Sequence, residues 1–177
     1  MSRSLFESDK RLRELGYAPK MKDVDPASPG VQAVAALNAG DLADATVHMR
    51  KHVRLHDRMG IAIVAMTDES AELTMELTEE TSGSAAGTVH GGLLATFADI
   101  ASAMAVTRSL DNETQIQITT DLHIRYFRQP KSGPLTAKAT LVHHGRKILS
   151  AECVISDAEH RVLARATATY MVVARPF

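Results

Sequence analysis

A single carboxylate, Asp99, lies within an otherwise apolar stretch of the sequence. Between Gly91 and Val106 the only polar side chains are Thr96, Asp99 and Ser102. A helix that is apolar on nearly every side belongs inside a domain. An ionised aspartate is costly there unless it is paired or functional, so we expect Asp99 to be buried and to act as a catalytic base or nucleophile.

A histidine and two glycines, His90-Gly91-Gly92, directly precede this apolar stretch. There a loop turns into the helix and leaves backbone N–H groups without intrahelical partners. Such a helix end favours developing negative charge, and a glycine lets a substrate carbonyl come close to the backbone. Gly91 is therefore a candidate oxyanion-hole donor, and His90 either shapes the loop or takes part in the chemistry directly.

The spacing of Gly91 and Asp99 has a consequence for assembly. At 1.5 Å per residue the two lie about 12 Å apart along one helix, too far for one carbonyl to contact both. If both serve one reaction, they come from two chains whose helices run antiparallel across a two-fold axis. The spacing thus predicts a dimer with shared active sites.

A glycine motif and a downstream strand motif occur together, in order, as Gly87-x-x-His90-Gly91-Gly92, Asp99 and Thr119-x-Asp121-Leu122-x-Ile124-x-Tyr126-x-x-x-Pro130. Over residues 58 to 173 the chain resembles the hotdog-fold acyl-CoA thioesterases of the phenylacetate-degradation type. The resemblance implies hydrolysis of an acyl-CoA thioester in a homodimer or dimer of dimers. It implies that Asp99 is nucleophile or general base, that the Gly91 N–H polarises the carbonyl, and that Thr119 orients the attacking water.

The sequence departs from the family pattern in two places. Six residues before the histidine, where many relatives carry Asn or Gln, stands Ser84, a shorter hydrogen-bonding group that we keep as a candidate site residue. The family motif also has no counterpart for the segment before residue 58. The expected organisation is an N-terminal helical extension at 1–57 and a hotdog domain at 58–177.

Four basic residues in predicted turns are candidates to hold the phosphates of a coenzyme A substrate, namely Arg128, Lys131, Arg146 and Lys147. Arg and Lys pair well with phosphate oxygens. Basic residues in turns are also commonly just solvated, and both interpretations stay open.

Composition agrees with one core built from aliphatic side chains. The chain has 177 residues, 45% of them hydrophobic and 4% aromatic, with a net charge of −1. The near-neutral charge argues against nucleic acid or a membrane surface as the main partner. The single cysteine, Cys153, fits a reducing compartment and packing in a strand, so we expect a cytoplasmic protein.

Three histidines, His48, His52 and His56, repeat at helical spacing and line one face. Three ligands on one helix do not converge on a tetrahedral ion without a further ligand. We therefore expect no metal and no resident cofactor.

Apolar and alternating runs predict six strands, at 61–66, 71–77, 114–128, 134–143, 147–156 and 161–173. Helices are expected at 4–16, from Pro29 to the turn at Gly40, from an Asp41 cap to about Arg58, and over the apolar stretch. The order β-β-α-β-β-β-β predicts an α+β fold, an antiparallel sheet wrapped around one long central helix. The resemblance makes it the hotdog fold.

The alternating sequence of the third predicted strand indicates one apolar and one polar face. Its apolar residues Ile116, Ile118, Leu122, Ile124 and Tyr126 all fall at even positions. Side chains alternate between the faces of a strand, so this parity predicts that all five lie on the buried face.

Two other functions are compatible with parts of the sequence. A hydratase or dehydratase on the same fold would move protons with a His–carboxylate pair. A non-catalytic regulator would bind acyl-CoA and read DNA with its N-terminal helices, although Lys10, Arg11 and Arg13 make a poor recognition helix.

Overall fold

The computed structural model describes residues 26–83, 85, 87–112 and 114–174. Its helices are α1 (Pro29–Ala39), α2 (Leu42–His52), α3 (Arg54–Arg58) and α4 (Gly91–Thr107). Its strands are β1 (Ala62–Met66), β2 (Ser70–Met75), β3 (Gln115–Tyr126), β4 (Leu135–His144), β5 (Ile148–Ser156) and β6 (Val162–Ala174). The predicted α+β class is confirmed, whereas the helix expected at 4–16 lies outside the described residues.

One antiparallel sheet holds the described strands in the order β1-β2-β4-β5-β6-β3, and α4 packs across it. The helix contributes Leu94 and Phe97 to the core. The facing sheet is rich in small buried side chains, among them Ala137, Ala139, Cys153, Ala164 and Ala166. Small side chains let a helix lie close to a sheet without voids, so α4 is held over the middle strands.

The N-terminal helices join this same core. Gly40 turns the chain between α1 and α2 with a left-handed φ of 77°. The hydroxyl of Thr46 accepts a buried hydrogen bond from the Ile63 N–H at 3.0 Å, and Arg50 donates to the Ile61 carbonyl. Helix α2 therefore covers the edge strand β1 and satisfies backbone groups that a sheet edge leaves unpaired. The predicted boundary at residue 57, between an N-terminal helical extension and the hotdog domain, stays a prediction.

The helix expected from Asp41 to Arg58 is interrupted, which corrects the sequence interpretation. Asp41 caps α2 as predicted, by accepting from the Asp44 N–H, but α2 ends at His52. Val53 is extended, with φ −123° and ψ 103°, a conformation that suits a β-branched residue, and α3 starts after it. The break redirects the chain so that Met59 and Ile61 enter the core.

A β-bulge in β3 overturns the prediction of one continuous apolar face. Thr119 lies opposite Tyr170 of β6, but the next pair is Asp121 with Thr169, so Thr120 is an extra residue. After the bulge Leu122 packs against the core as expected. Before the bulge, residues at odd positions face the helix instead of those at even positions.

Odd-numbered side chains in the first half of β3 and even-numbered side chains in its second half therefore face α4. Gln117 reaches the helix and donates to the Ala103 carbonyl and the Thr107 hydroxyl. Ile118 is 47% exposed, and Tyr126 at the far end of the strand is half exposed. A bulge changes which side chains face the core, and period-2 alternation alone does not reveal it.

Within the described part of the chain, no helix is both long enough and apolar enough to cross a membrane.

Candidate functional site

The start of α4 is built by His90. Its backbone is extended at φ −63° and ψ 128°, and its Nδ1 accepts a hydrogen bond from the Gly92 N–H at 3.0 Å. The imidazole is thus the N-cap of the helix, one of the two roles left open for it. The Gly91 N–H has no acceptor among the described residues and lies at the positive end of a 17-residue helix.

The end of β3 fixes this helix start in place. The Tyr126 hydroxyl donates to the Gly91 carbonyl at 2.9 Å, and the Gln129 side chain accepts from the Val89 N–H at 2.9 Å. The atoms nearest to a Cβ built on Gly91 belong to the Tyr126 side chain, at 3.6 Å or more. Neither Tyr126 nor Gln129 was predicted to belong to the site, and the strand motif that contains Tyr126 was the available signal.

Two turns further along α4, the Asp99 carboxylate is held by two hydroxyl groups. Thr119 donates to its Oδ1 at 3.0 Å, and the Tyr170 hydroxyl lies 3.1 Å from the same oxygen and 2.9 Å from the Asp99 main-chain carbonyl. The bulge brings Thr119 onto the helix side of the sheet, directly opposite Tyr170. In the part of the chain that the structure describes, Oδ2 has no hydrogen-bond donor.

The surroundings of Asp99 differ from the expectation in one respect. The apolar sequence predicted burial, but in the single chain Asp99 is partly exposed, and so can reach a molecule outside the core. Tyr170, by contrast, is fully buried. Burial raises the pKa of the Tyr170 phenol far above its usual range, and the nearby Asp99 charge raises it further, so the phenol stays protonated.

Tyr170 was missed by the sequence analysis. It is 71 residues from Asp99, and its placement depends on the register between β3 and β6. Both strands were predicted, but their register was not. The available signal was a lone aromatic residue, Tyr170, in a predicted strand whose other residues are Ala, Thr, Val, Leu, Met and Arg.

Other predicted site residues are not brought together in one chain. Ser84 lies outside the described residues, and Gly91 and Asp99 are separated along α4 as expected. Arg128 and Lys131 follow β3, whose last residue pairs with Ala164 of β6. Lys147 lies next to Arg146 at the β4–β5 turn, and its main-chain carbonyl accepts a hydrogen bond from the Val172 N–H.

The two basic pairs thus lie at opposite ends of the sheet, because residues 164 and 172 of one strand are roughly 26 Å apart. All four basic side chains are exposed. One phosphate group cannot contact both pairs of the same chain, so at most one pair serves any one coenzyme A phosphate within a protomer.

Thiol and metal chemistry find little support in the described residues. Burial raises the pKa of the Cys153 thiol to about 12, so it is not a thiolate at neutral pH. His48 lies 3.4 Å from Asp44, an ordinary helical pair one turn apart. No group of three or more His, Cys, Asp or Glu side chains in the described ranges is arranged to hold a metal ion.

Comparison with known proteins points to one family. A family model described as the thioesterase superfamily matches residues 86–164. The medium/long-chain acyl-CoA thioesterase YigI of Escherichia coli K12 is 26% identical over 134 residues, covering 68% of this chain and 86% of the relative. The putative esterase VNG_1336C of Halobacterium salinarum is 30% identical over 126 residues, covering 67% of this chain and 83% of the relative.

A solved structure supports the fold. The PaaI protein of the E. coli phenylacetic acid degradation operon superposes with a TM-score of 0.64 at 22% identity, covering 80% of this chain and 94% of that chain. The resemblance to hotdog thioesterases of the phenylacetate-degradation type is therefore confirmed for the fold, and the predicted enzyme class, a thioester hydrolase, is confirmed by the family.

Proposed function

Because the chain belongs to the thioesterase superfamily, we propose that it hydrolyses acyl-CoA thioesters at a site that combines Asp99 with the Gly91 N–H. The observation that carries the proposal is the carboxylate itself: two hydroxyls hold Oδ1, and Oδ2 is free of donors in the described chain. A fixed carboxylate with one free oxygen can act as a general base or as a nucleophile. The acyl-CoA substrate named for YigI supports the choice of thioester.

The proposed chemistry runs through a tetrahedral intermediate. In the general-base route, Oδ2 takes a proton from water, the water oxygen attacks the thioester carbon, and the C–S bond breaks. The proton held by Oδ2 then passes to the departing thiolate, which leaves as coenzyme A and restores the carboxylate. In the nucleophilic route, Oδ2 attacks the carbon itself, the C–S bond breaks, and the thiolate takes a proton from solvent and leaves as coenzyme A. Water then hydrolyses the resulting mixed anhydride and restores the carboxylate. In both routes the negative charge develops on the carbonyl oxygen, where the Gly91 N–H would stabilise it.

We place this site between two copies of the chain. Gly91 and Asp99 are about 12 Å apart along α4, so one carbonyl needs a glycine from one copy and an aspartate from the other. Strand β3 supports the arrangement, since it is a 12-residue strand at the edge of the sheet, with backbone groups open on one side. Ile118 and Phe127, about half exposed, lie along or just beyond this edge.

The reaction is tested by measuring the release of free thiol from a panel of coenzyme A esters with short, medium, long and aromatic acyl groups. Turnover of at least one ester with stoichiometric thiol release supports the proposal. Hydration of an enoyl-CoA without thiol release would identify a hydratase. Tight binding of acyl-CoA with no turnover of any ester would identify a sensor. Each of these last two results would contradict the hydrolytic function.

A further inference from the structure

The Tyr170 hydroxyl has a position that packing alone does not require. It comes from β6, is fully buried, and contacts two oxygens of the same residue, the main-chain carbonyl and the Oδ1 of Asp99. A phenol has one proton, so the two acceptors share it. The contact therefore ties the turn of α4 that carries Asp99 to the sheet and fixes the carboxylate on that turn.

The two carboxylate oxygens are consequently not equivalent. Oδ1 faces two hydroxyls, those of Thr119 and Tyr170, which lie opposite each other across β3 and β6. Oδ2 has no donor within the described ranges. The two hydroxyls therefore hold the carboxylate through Oδ1 and leave Oδ2 open to accept a proton or attack carbon.

We propose that Tyr170 is a positioning residue that, together with Thr119, occupies Oδ1 so that Oδ2 is the reacting oxygen. This inference rests on the proposed hydrolytic role of Asp99 and specifies its geometry. Loss of the phenol proton donor leaves the carboxylate with one hydroxyl on Oδ1 and free to rotate. The orientation of Oδ2 should suffer, while binding of the acyl-CoA should not.

The test removes only the hydroxyl, with Tyr170→Phe. The matched control is Thr114→Val, which removes a hydroxyl that donates to the Asp111 carboxylate in the exposed turn before β3. A third variant carries 3-fluorotyrosine at position 170, which keeps the ring and the hydroxyl and makes the hydroxyl a stronger donor. Thermal unfolding of each protein shows that it is folded.

Two readouts separate positioning from structure. The first is the separate effect on kcat and on KM for the best acyl-CoA. The second is the ¹³C chemical shift, at one neutral pH, of protein labelled at the aspartate carboxyl carbon, with the Asp99 signal identified by its absence in Asp99→Asn. The chemical shift reports the hydrogen bonding of the carboxylate and needs no turnover.

For Tyr170→Phe we expect kcat to fall roughly 10-fold, because a misplaced reacting group reacts more slowly, while KM stays within about 2-fold. The ¹³C signal of the Asp99 carboxyl should move away from its wild-type position, because Oδ1 has lost a donor. The 3-fluorotyrosine variant keeps that donor and should retain the wild-type kcat. Thr114→Val should change neither kcat nor the Asp99 signal.

An Asp99 carboxyl signal that is unchanged in Tyr170→Phe overturns the inference, whatever happens to activity. A lower melting temperature with an unchanged kcat also overturns it, since it would show a structural role only. A shifted Asp99 signal in a protein that releases no thiol from any acyl-CoA would support the contact between Tyr170 and Asp99 and would overturn the proposed hydrolysis instead.

Discussion

Asp99 is the residue whose replacement should separate chemistry from folding. Asp99→Asn keeps the shape and an oxygen acceptor for Thr119 and Tyr170, but removes the base or nucleophile. We expect thiol release to fall about 10²-fold or more with little loss of stability. The control is Asp121→Asn, an exposed carboxylate on the outer face of β3. Wild-type kcat in Asp99→Asn would contradict the assignment.

Gly91 can be tested in graded steps because its surroundings tolerate a side chain. The nearest neighbour of a Cβ there is the Tyr126 side chain, at an ordinary contact distance of 3.6 Å. Gly91→Val should block the approach of a carbonyl to the N–H, and one lost oxyanion donor costs roughly 3 kcal/mol of transition-state stabilisation. Gly91→Ala should lose less. Equal kcat/KM in both variants and the wild type would exclude this N–H from catalysis.

At the residue scale, the sequence allowed prediction of the groups that lie close together along the chain. His90, Gly91 and Asp99 fall within one loop-helix segment, so their spacing could be converted into distances. Tyr170 could not be found in this way, because its contact with Asp99 is set by strand register and by a bulge. Thr119 was found only through the family resemblance.

At the element scale, His90 should act on α4 chiefly as its cap. His90→Ala removes the acceptor for the Gly92 N–H, and loss of an N-cap costs about 1 kcal/mol of stability. His90→Asn restores a good capping group and should recover that stability in urea unfolding. Activity should fall only mildly in both variants. A folded but inactive His90→Asn would instead assign the imidazole a direct catalytic role.

The connections at the far end of the sheet depend on a buried carboxylate, Asp157. Burial by itself would raise the pKa of Asp157, but hydrogen bonds from the backbone N–H groups of Arg161 and Lys131 and from the Arg161 guanidinium outweigh it. The net pKa lies below the usual range. These bonds hold the β3–β4 connection against the β5–β6 turn.

The sign of its pH dependence follows from that lowered pKa. A carboxyl whose folded pKa is below its unfolded value stabilises the fold above about pH 3.9, and this stabilisation is lost as the pH falls through the folded value. The wild type should therefore lose more stability between pH 7 and pH 3 than Asp157→Asn does, measured by thermal unfolding. Parallel losses in the two proteins would show that Asp157 contributes nothing to the acid sensitivity.

The elements themselves were predictable because their hydrophobic patterns are strong. The six strands and the apolar helix match the predicted ranges to within about two residues, because the hydrophobic periodicity of long segments is a strong signal of their secondary structure. The break at Val53 and the bulge at Thr120 were not predicted. Each changes the backbone conformation at a single residue. Tertiary packing selects these conformations, and the local sequence is compatible with them but gives no signal that predicts them.

At the scale of the whole molecule, the proposed reaction requires two copies of the chain. The proposed oxyanion donor, the Gly91 N–H, and the Asp99 carboxylate occupy different turns of one helix, and β3 is an edge strand of the sheet. The sequence spacing predicted this separation, because helix geometry converts residue number into distance. The partner surface itself could not be predicted in detail, since it depends on how two folded sheets meet.

Shared sites are tested by mixing two inactive proteins, Asp99→Asn and Gly91→Val, and allowing their subunits to exchange. In a mixed dimer one site collects both defects, and the other draws an intact Asp99 and an intact Gly91 from opposite chains. Activity should return toward a quarter of the wild-type value, because random pairing makes roughly half of the dimers mixed and each holds one good site of two. Asp99→Asn mixed with the double variant has no good site and is the control. If native mass spectrometry shows exchange but activity does not recover, the two groups do not meet across an interface.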